Sequence, residues 1–313
     1  MKVAWLFPGQ GAQAVGMGNE LAATVPAARA VFDAADAALG ESLSRLCFEG
    51  PIAELTLTAN TQPAILTTSA AILAAMRERW PSMPTPDCAA GHSLGEYSAL
   101  CAARVIPFAD AVRVCRVRGR AMQDAVPAGQ GAMAAVMGLE DDAIESACRD
   151  ACDAGAVVCP ANFNAPGQTV IAGEARAVER ALVLCKERGG KVIPLNVSAP
   201  FHSPLMTSAR APLAEALSRA TLSAPAFDGL ANVDAAPKPD AALVFEALVE
   251  QVASPVQWTR TISRMRERGV THALEIGHGK VLAGLVKRID KELCVLSVSD
   301  PASIERIGEH LGF

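Results

Sequence analysis

A serine set between two glycines at Gly91-His92-Ser93-Leu94-Gly95 constrains this chain more than any other feature, because G-x-S-x-G marks a strand that runs through a strained turn into a helix. Such a turn exposes the serine hydroxyl at the end of a sheet, and only small residues tolerate the crowding beside it. The flanks agree with that geometry. Cys88, Ala89 and Ala90 suit the end of a short buried strand, and residues 96–103 read as a helix-compatible run. The free N–H groups and positive dipole end of that helix would face the serine, where negative charge develops on a carbonyl oxygen during acyl transfer. The pattern therefore predicts both an α/β arrangement and a nucleophile.

The rest of the chain is compatible with that prediction. Its 313 residues can bury a large core, and 51% hydrophobic content with only 4% aromatics suits small-residue helices packed on a parallel sheet. A net charge of -5 without a polybasic tail argues against nucleic-acid binding. The first apolar run, residues 3–7, is too short for a signal peptide, and no segment approaches the ~18 uninterrupted apolar residues of a membrane span. A cytoplasmic monomer is expected. None of the nine cysteines forms C-x-x-C, and Cys148 and Cys152, spaced for one helical face, have no nearby histidine to complete a ligand set, so neither metal nor disulfide is expected.

Strands and helices alternate through the first part: a strand at 3–7, helices near 27–38 and 64–79, the elbow strand, and a helix across 108–124. After Pro127-Ala128-Gly129-Gln130-Gly131 the rhythm changes. Strand 132–139, helix 140–153, strands 156–162 and 168–172 around the turn Asn164-Ala165-Pro166-Gly167, helix 174–188 and strand 191–197 make a β-α-β-β-α-β unit. The expected organisation is a large α/β domain, residues 1–128 and 198–313, interrupted by a ferredoxin-like small domain at 129–197. The large domain resumes with a helix near 205–219 and a loop at 224–242 holding one buried strand. Helices at 241–252 and 258–268, a strand at 271–276 and a last helix from 279 complete it.

A nucleophilic serine needs a base, and five histidines are candidates. His92, beside the serine, points away on an elbow and suits packing or orienting. His272 lies in an apolar strand and His310 near the end of the chain. His278, between Gly277 and Gly279, occupies a strand-to-helix turn within reach of a ligand. His202 stands apart, because Pro200-Phe201-His202-Ser203 falls where the inserted unit returns to the large domain and a cleft would be lined. Arg116, Arg118 and Arg120 share one helix; most such arginines are solvated, but one aimed into the cleft would hold a carboxylate through two parallel charge-assisted bonds. Pro8-Gly9-Gln10-Gly11 is not a dinucleotide loop, since the glycine after Gly11 is Gly16 and G-x-G-x-x-G is absent. A backbone N–H such as that of Gln10 instead suits one half of an oxyanion hole.

Taken in order, a set of blocks resembles the malonyl-CoA:acyl carrier protein transacylase family: Phe7-Pro8-Gly9-Gln10-Gly11, Thr61-Gln62-Pro63-Ala64, Gly91-His92-Ser93-Leu94-Gly95-Glu96, Arg118-Gly119, Asn162-Phe163-Asn164, Phe201-His202-Ser203, Pro255-Val256-Gln257-Trp258 and Glu275-Ile276-Gly277. The resemblance implies an α/β-hydrolase-like large domain with a ferredoxin-like small one. It makes Ser93 the nucleophile, His202 the base and acid, Arg118 the clamp for the malonyl carboxylate, and the N–H groups of Gln10 and Leu94 the oxyanion hole. Gln62 and Phe201 would lie at the acyl pocket, and the main-chain carbonyl of Gln251, to within one residue, would orient the histidine in place of an aspartate. The implied substrates are a coenzyme A thioester and an acyl carrier protein, with no metal or redox cofactor. His278 departs from the usual Gly-Pro-Gly turn of the family. A serine esterase or thioesterase, and a non-catalytic carrier-docking module, are the alternatives.

Overall fold

The computed structural model describes residues 1–312 except 128, 154 and 198. The expected domain limits at 128 and 198 thus fall outside the described residues. Among the described residues nine strands follow one another: β1 (Val3–Phe7), β2 (Cys88–Gly91), β3 (Gly131–Met137), β4 (Val158–Ala165), β5 (Gln168–Glu174), β6 (Lys191–Pro194), β7 (Gly229–Leu230), β8 (His272–Ile276) and β9 (Cys294–Val298). They form two sheets. The first, ordered β7-β2-β1-β8-β9, is parallel throughout, and β1 at its centre pairs Ala4 with Cys88 on one side and with Ala273 on the other. Trp5 and Phe7 of β1 pack into one apolar cluster, while Ala4 and Leu6 pack into another with Trp258, Ile262 and Leu282. A strand buried on both faces needs no polar alternation, which explains its continuous apolar run. No helix among the described residues is long and apolar enough to cross a membrane.

The second sheet, ordered β4-β5-β3-β6, is antiparallel and carries helices Asp141–Ala151 and Ala175–Glu187, giving the β-α-β-β-α-β unit. Its β4 also ties back to the large domain, where Phe163 N–H donates to the Val256 carbonyl at 2.9 Å. The molecule thus has an α/β-hydrolase-like large domain and a ferredoxin-like small one.

Several elements differ from expectation for identifiable reasons. The helix expected near 64–79 begins at Thr58 and runs through Pro63. Proline lacks the N–H that would bond the carbonyl four residues back, that of Ala59. Arg116 Nη1 takes that carbonyl instead at 2.8 Å, so the helix continues. β4 extends to Ala165, into the expected turn, leaving Pro166-Gly167 with Gly167 at φ +69° to reverse the chain. β6 stops at Pro194, and Leu195 and Val197 line a cavity instead. The helix from 279 is not the last: Val281–Ile289 is followed by edge strand β9 and helix Pro301–Leu311. The latter starts in a capping box between Asp300 and Ser303.

The elbow glycines are sterically required. A Cβ on Gly91 would lie 1.8 Å from the Gly95 carbonyl carbon, and one on Gly95 would lie 2.0 Å from the Phe7 oxygen. Gly91→Ala is therefore expected to lower stability by about 3 kcal/mol or more, at the severe end of overpacking, because both colliding atoms are backbone. Chemical denaturation of wild type and variant checks this; an unchanged midpoint would mean that the turn relaxes freely.

Candidate active site

The parallel sheet ends its central strands at one rim, and there the elbow turns from β2 into helix Gly95–Ala102 with Ser93 at φ 52°. A non-glycine residue in the left-handed region is strained and persists only where its surroundings hold it. They do so here. Asn232, two residues beyond β7, accepts from Ser93 N–H at 2.7 Å and donates from Nδ2 to the Gly91 carbonyl at 2.7 Å. Its own N–H donates to Glu96 Oε2 at 3.0 Å. Gly9 presses on the elbow from the other side, where a Cβ would come within 2.3 Å of the His92 oxygen.

His202, also left-handed at φ 59°, brings Nε2 to 2.7 Å from Ser93 Oγ. Its Nδ1 faces two carbonyls, Gln251 O at 2.9 Å and Ser254 O at 3.2 Å. Two acceptors require Nδ1 to carry the proton and donate, which leaves the Nε2 lone pair for the serine hydroxyl. Burial first, then the charge of Arg118, pulls the His202 pKa down from 6.5 to about 3, against the opposing bond to the Gln251 carbonyl. The imidazole is therefore neutral over the whole neutral range, with Nε2 able to accept a proton. The acid limb of kcat/KM is expected to be absent between about pH 5 and 8 and to move upward when Arg118→Met removes a positive charge. A wild-type limb at the ordinary histidine value would show that the ring is not desolvated.

Arg118 lies on helix Phe108–Asp124 and is 1% exposed. Gly119 lets this helix approach so closely that a Cβ there would come within 2.5 Å of the Thr58 carbonyl oxygen. Arg118 Nη1 donates to Gln62 Oε1 at 2.8 Å, and Nη2 donates to Gln251 Oε1 at 2.8 Å and to Ser93 Oγ at 3.2 Å. Its Nε has no partner, its guanidinium stands 5.2 Å from the Tyr97 ring centre, and it forms no ion pair among the described residues. Arg116 is not solvated as expected. It is buried and turned away from the serine, bonded to Ala59, Asn60 and Glu41. Arg120 is exposed.

These groups surround a cavity of about 120 Å³ lined by Gln10, Gln62, Ser93, Leu94, Arg118, Phe201 and His202, with Met122, Met133, Asn162, Leu195 and Val197 completing the wall. The N–H groups of Gln10 and Leu94 have no hydrogen-bond acceptor among the described residues. His92 lines the same cavity but gives Nε2 to Asn164 Oδ1 at 2.7 Å, and its ring lies 5.5 Å from that of Trp258. His278 does not reach this cavity.

Sequence reasoning did not find Asn232, Asn164, Glu96 or the Gln251 side chain as positioning groups. Gln251 Nε2 donates to Ser93 O at 2.9 Å and to Glu96 Oε2 at 2.6 Å, so one residue joins the histidine, the arginine and the elbow. Burial pushes the Glu96 carboxyl up to about 7, against the donors from Gln251 and Asn232 that favour the carboxylate. Glu96 sits inside the elbow block and Asn164 inside the Asn162-Phe163-Asn164 block, but nothing local to Asn232 marked it.

A model of the acyl transferase domain family matches residues 4–308. The malonyl CoA-acyl carrier protein transacylase of Bacillus subtilis (strain 168) is 49% identical over 305 residues, 97% of this chain and 95% of that protein. The crystal structure of an acyl-carrier-protein S-malonyltransferase from Burkholderia pseudomallei 1710b superposes with a TM-score of 0.95 at 46% identity, covering 99% of this chain and 100% of that one. A malonyl-transacylase solved in complex with its type II polyketide acyl carrier protein superposes with a TM-score of 0.96 at 44% identity, again over 99% and 100% of the two chains. With such matches along nearly its whole length, the chain belongs to the malonyl-CoA:acyl carrier protein transacylase family of acyl transferases.

Proposed function

We propose that this enzyme moves a malonyl group from malonyl-CoA to the phosphopantetheine thiol of an acyl carrier protein. The observation that carries the reading is a buried guanidinium without an ion-pair partner among the described residues, 3.2 Å from a serine hydroxyl that is itself 2.7 Å from an imidazole nitrogen. Such a charge is costly to bury alone, and a substrate carboxylate supplies the missing partner.

In the first half-reaction Ser93 Oγ attacks the thioester carbonyl while His202 Nε2 takes its proton. The N–H groups of Gln10 and Leu94 receive the developing oxyanion. Collapse breaks the C–S bond, His202 returns its proton to the departing thiolate, and malonyl-Ser93 remains. The carrier thiol then gives its proton to His202 and attacks the ester, and the proton goes back to Ser93 Oγ. Every proton and charge in this scheme is served by a group of the chain, so neither metal nor redox cofactor enters it. Gln62 holds Arg118 in place, and Phe201 narrows the space for an α-methyl branch, a discrimination worth only ~1–3 kcal/mol. The reading takes the enzyme as a cytoplasmic monomer serving a carrier of fatty-acid or polyketide synthesis; the carrier part of it is supported by a structural relative solved in complex with its type II polyketide acyl carrier protein.

Incubation with labelled malonyl-CoA is expected to leave label on the enzyme, and adding holo-carrier to move it to the carrier. Free malonate in place of transfer would favour the hydrolase, and no label at all the docking module.

A further inference from the structure

At the far end of the same sheet, away from the cleft, three side chains from three separate elements converge. One donor atom from each of His272, Cys294 and His310 lies within 4.8 Å of those of the other two. His272 opens β8 and Cys294 opens β9, and the parallel register sets them directly side by side. His310 arrives from the last turn of helix Pro301–Leu311, which the capping box and the buried Ile304 and Ile307 fix against the sheet. The two imidazole rings stand 6.0 Å apart, tilted by 53°.

The donor chemistry is selective. Two imidazoles and a thiol suit a borderline-soft transition metal, and their exposure leaves a coordination position open to water. His272 Nδ1 lies 3.0 Å from the Thr271 hydroxyl, an outer contact of the kind that fixes a ligating ring. That contact leaves Nε2 with no partner among the described residues, and neither Cys294 Sγ nor the His310 ring has a hydrogen bond there.

We propose that His272, Cys294 and His310 form a Zn2+ site that staples the C-terminal helix to the edge of the parallel sheet. Metal–ligand distances of about 2.0–2.3 Å require the three donors to close in slightly from their present separation. The thiol gives up its proton on binding, so the affinity falls as the pH is lowered.

The test uses tag-free enzyme kept reduced without a chelating thiol. Titration with Zn2+ is expected to show one site per chain and to raise Tm, and Co2+ in its place to give thiolate-to-metal charge-transfer absorption. Cys294→Ser is expected to abolish that absorption, and Cys294→Ser and His310→Ala each to weaken Zn2+ binding by about 100-fold, with Thr271→Ala costing about tenfold. Circular dichroism establishes that each variant is folded, and His202→Ala is expected to bind Zn2+ as the wild type does. Absence of binding, a cobalt spectrum without thiolate absorption, or loss of binding in His202→Ala instead of the cluster variants would each overturn the site.

Discussion

Ser93→Ala is expected to form no acyl-enzyme and to lose transfer by on the order of 10⁶-fold, the scale seen when the nucleophile of a serine–histidine pair is removed. No other described side chain in the cavity offers a nucleophile on a left-handed turn beside a neutral imidazole. The fold should survive, because the position is held by backbone: Asn232 binds the Ser93 N–H and Gln251 binds its carbonyl, and neither contact uses the hydroxyl. Intact-protein mass spectrometry after exposure to malonyl-CoA checks the result. A fully occupied adduct on the variant would remove Ser93 from the mechanism, whereas an unfolded variant would be recognised by its melting curve.

Arg118→Ala is expected to change which acyl group is preferred as well as how fast it moves. Removing one partner of a buried charge pair costs roughly 3–5 kcal/mol, which corresponds to a loss of malonyl transfer of at least about 100-fold. An acetyl group has no carboxylate, so in the wild type it leaves the guanidinium without its partner, and in the variant that penalty disappears. Acetyl transfer should therefore hold steady or rise, giving a crossover in relative kcat/KM. The substitution also frees the Gln62 and Gln251 amide oxygens that Arg118 now engages, and Arg118→Lys, which restores charge but not the planar fork, should recover malonyl transfer only in part. Parallel losses for both donors would mean that Arg118 acts by holding the two glutamines and the elbow. Arg116 is no substitute clamp, since its Nη1 and Nη2 are engaged by Ala59, Asn60 and Glu41 and it does not line the cavity.

What the sequence determined by itself was local. The elbow was legible because a strained turn admits almost nothing but glycine at Gly91 and Gly95, so steric necessity is written directly in residue identity. The central strand and helix Phe108–Asp124 were legible because burial imposes a period or an unbroken apolar run. Residue type and order also singled out Ser93 and His202, and the family resemblance singled out Arg118. Tertiary structure decided which of three arginines on one helix enters the cavity. Arg116 is drawn to a carbonyl orphaned by Pro63, a contact between two helices that no periodicity encodes. It also decided that Asn232 pins the elbow, that Gln251 joins histidine, arginine and Glu96, and that His272, Cys294 and His310 meet. Spacing along a chain reveals ligands or partners only when one helix or turn supplies them. Here each group comes from a different element, and the parallel sheet and the helices packed on its faces bring them together.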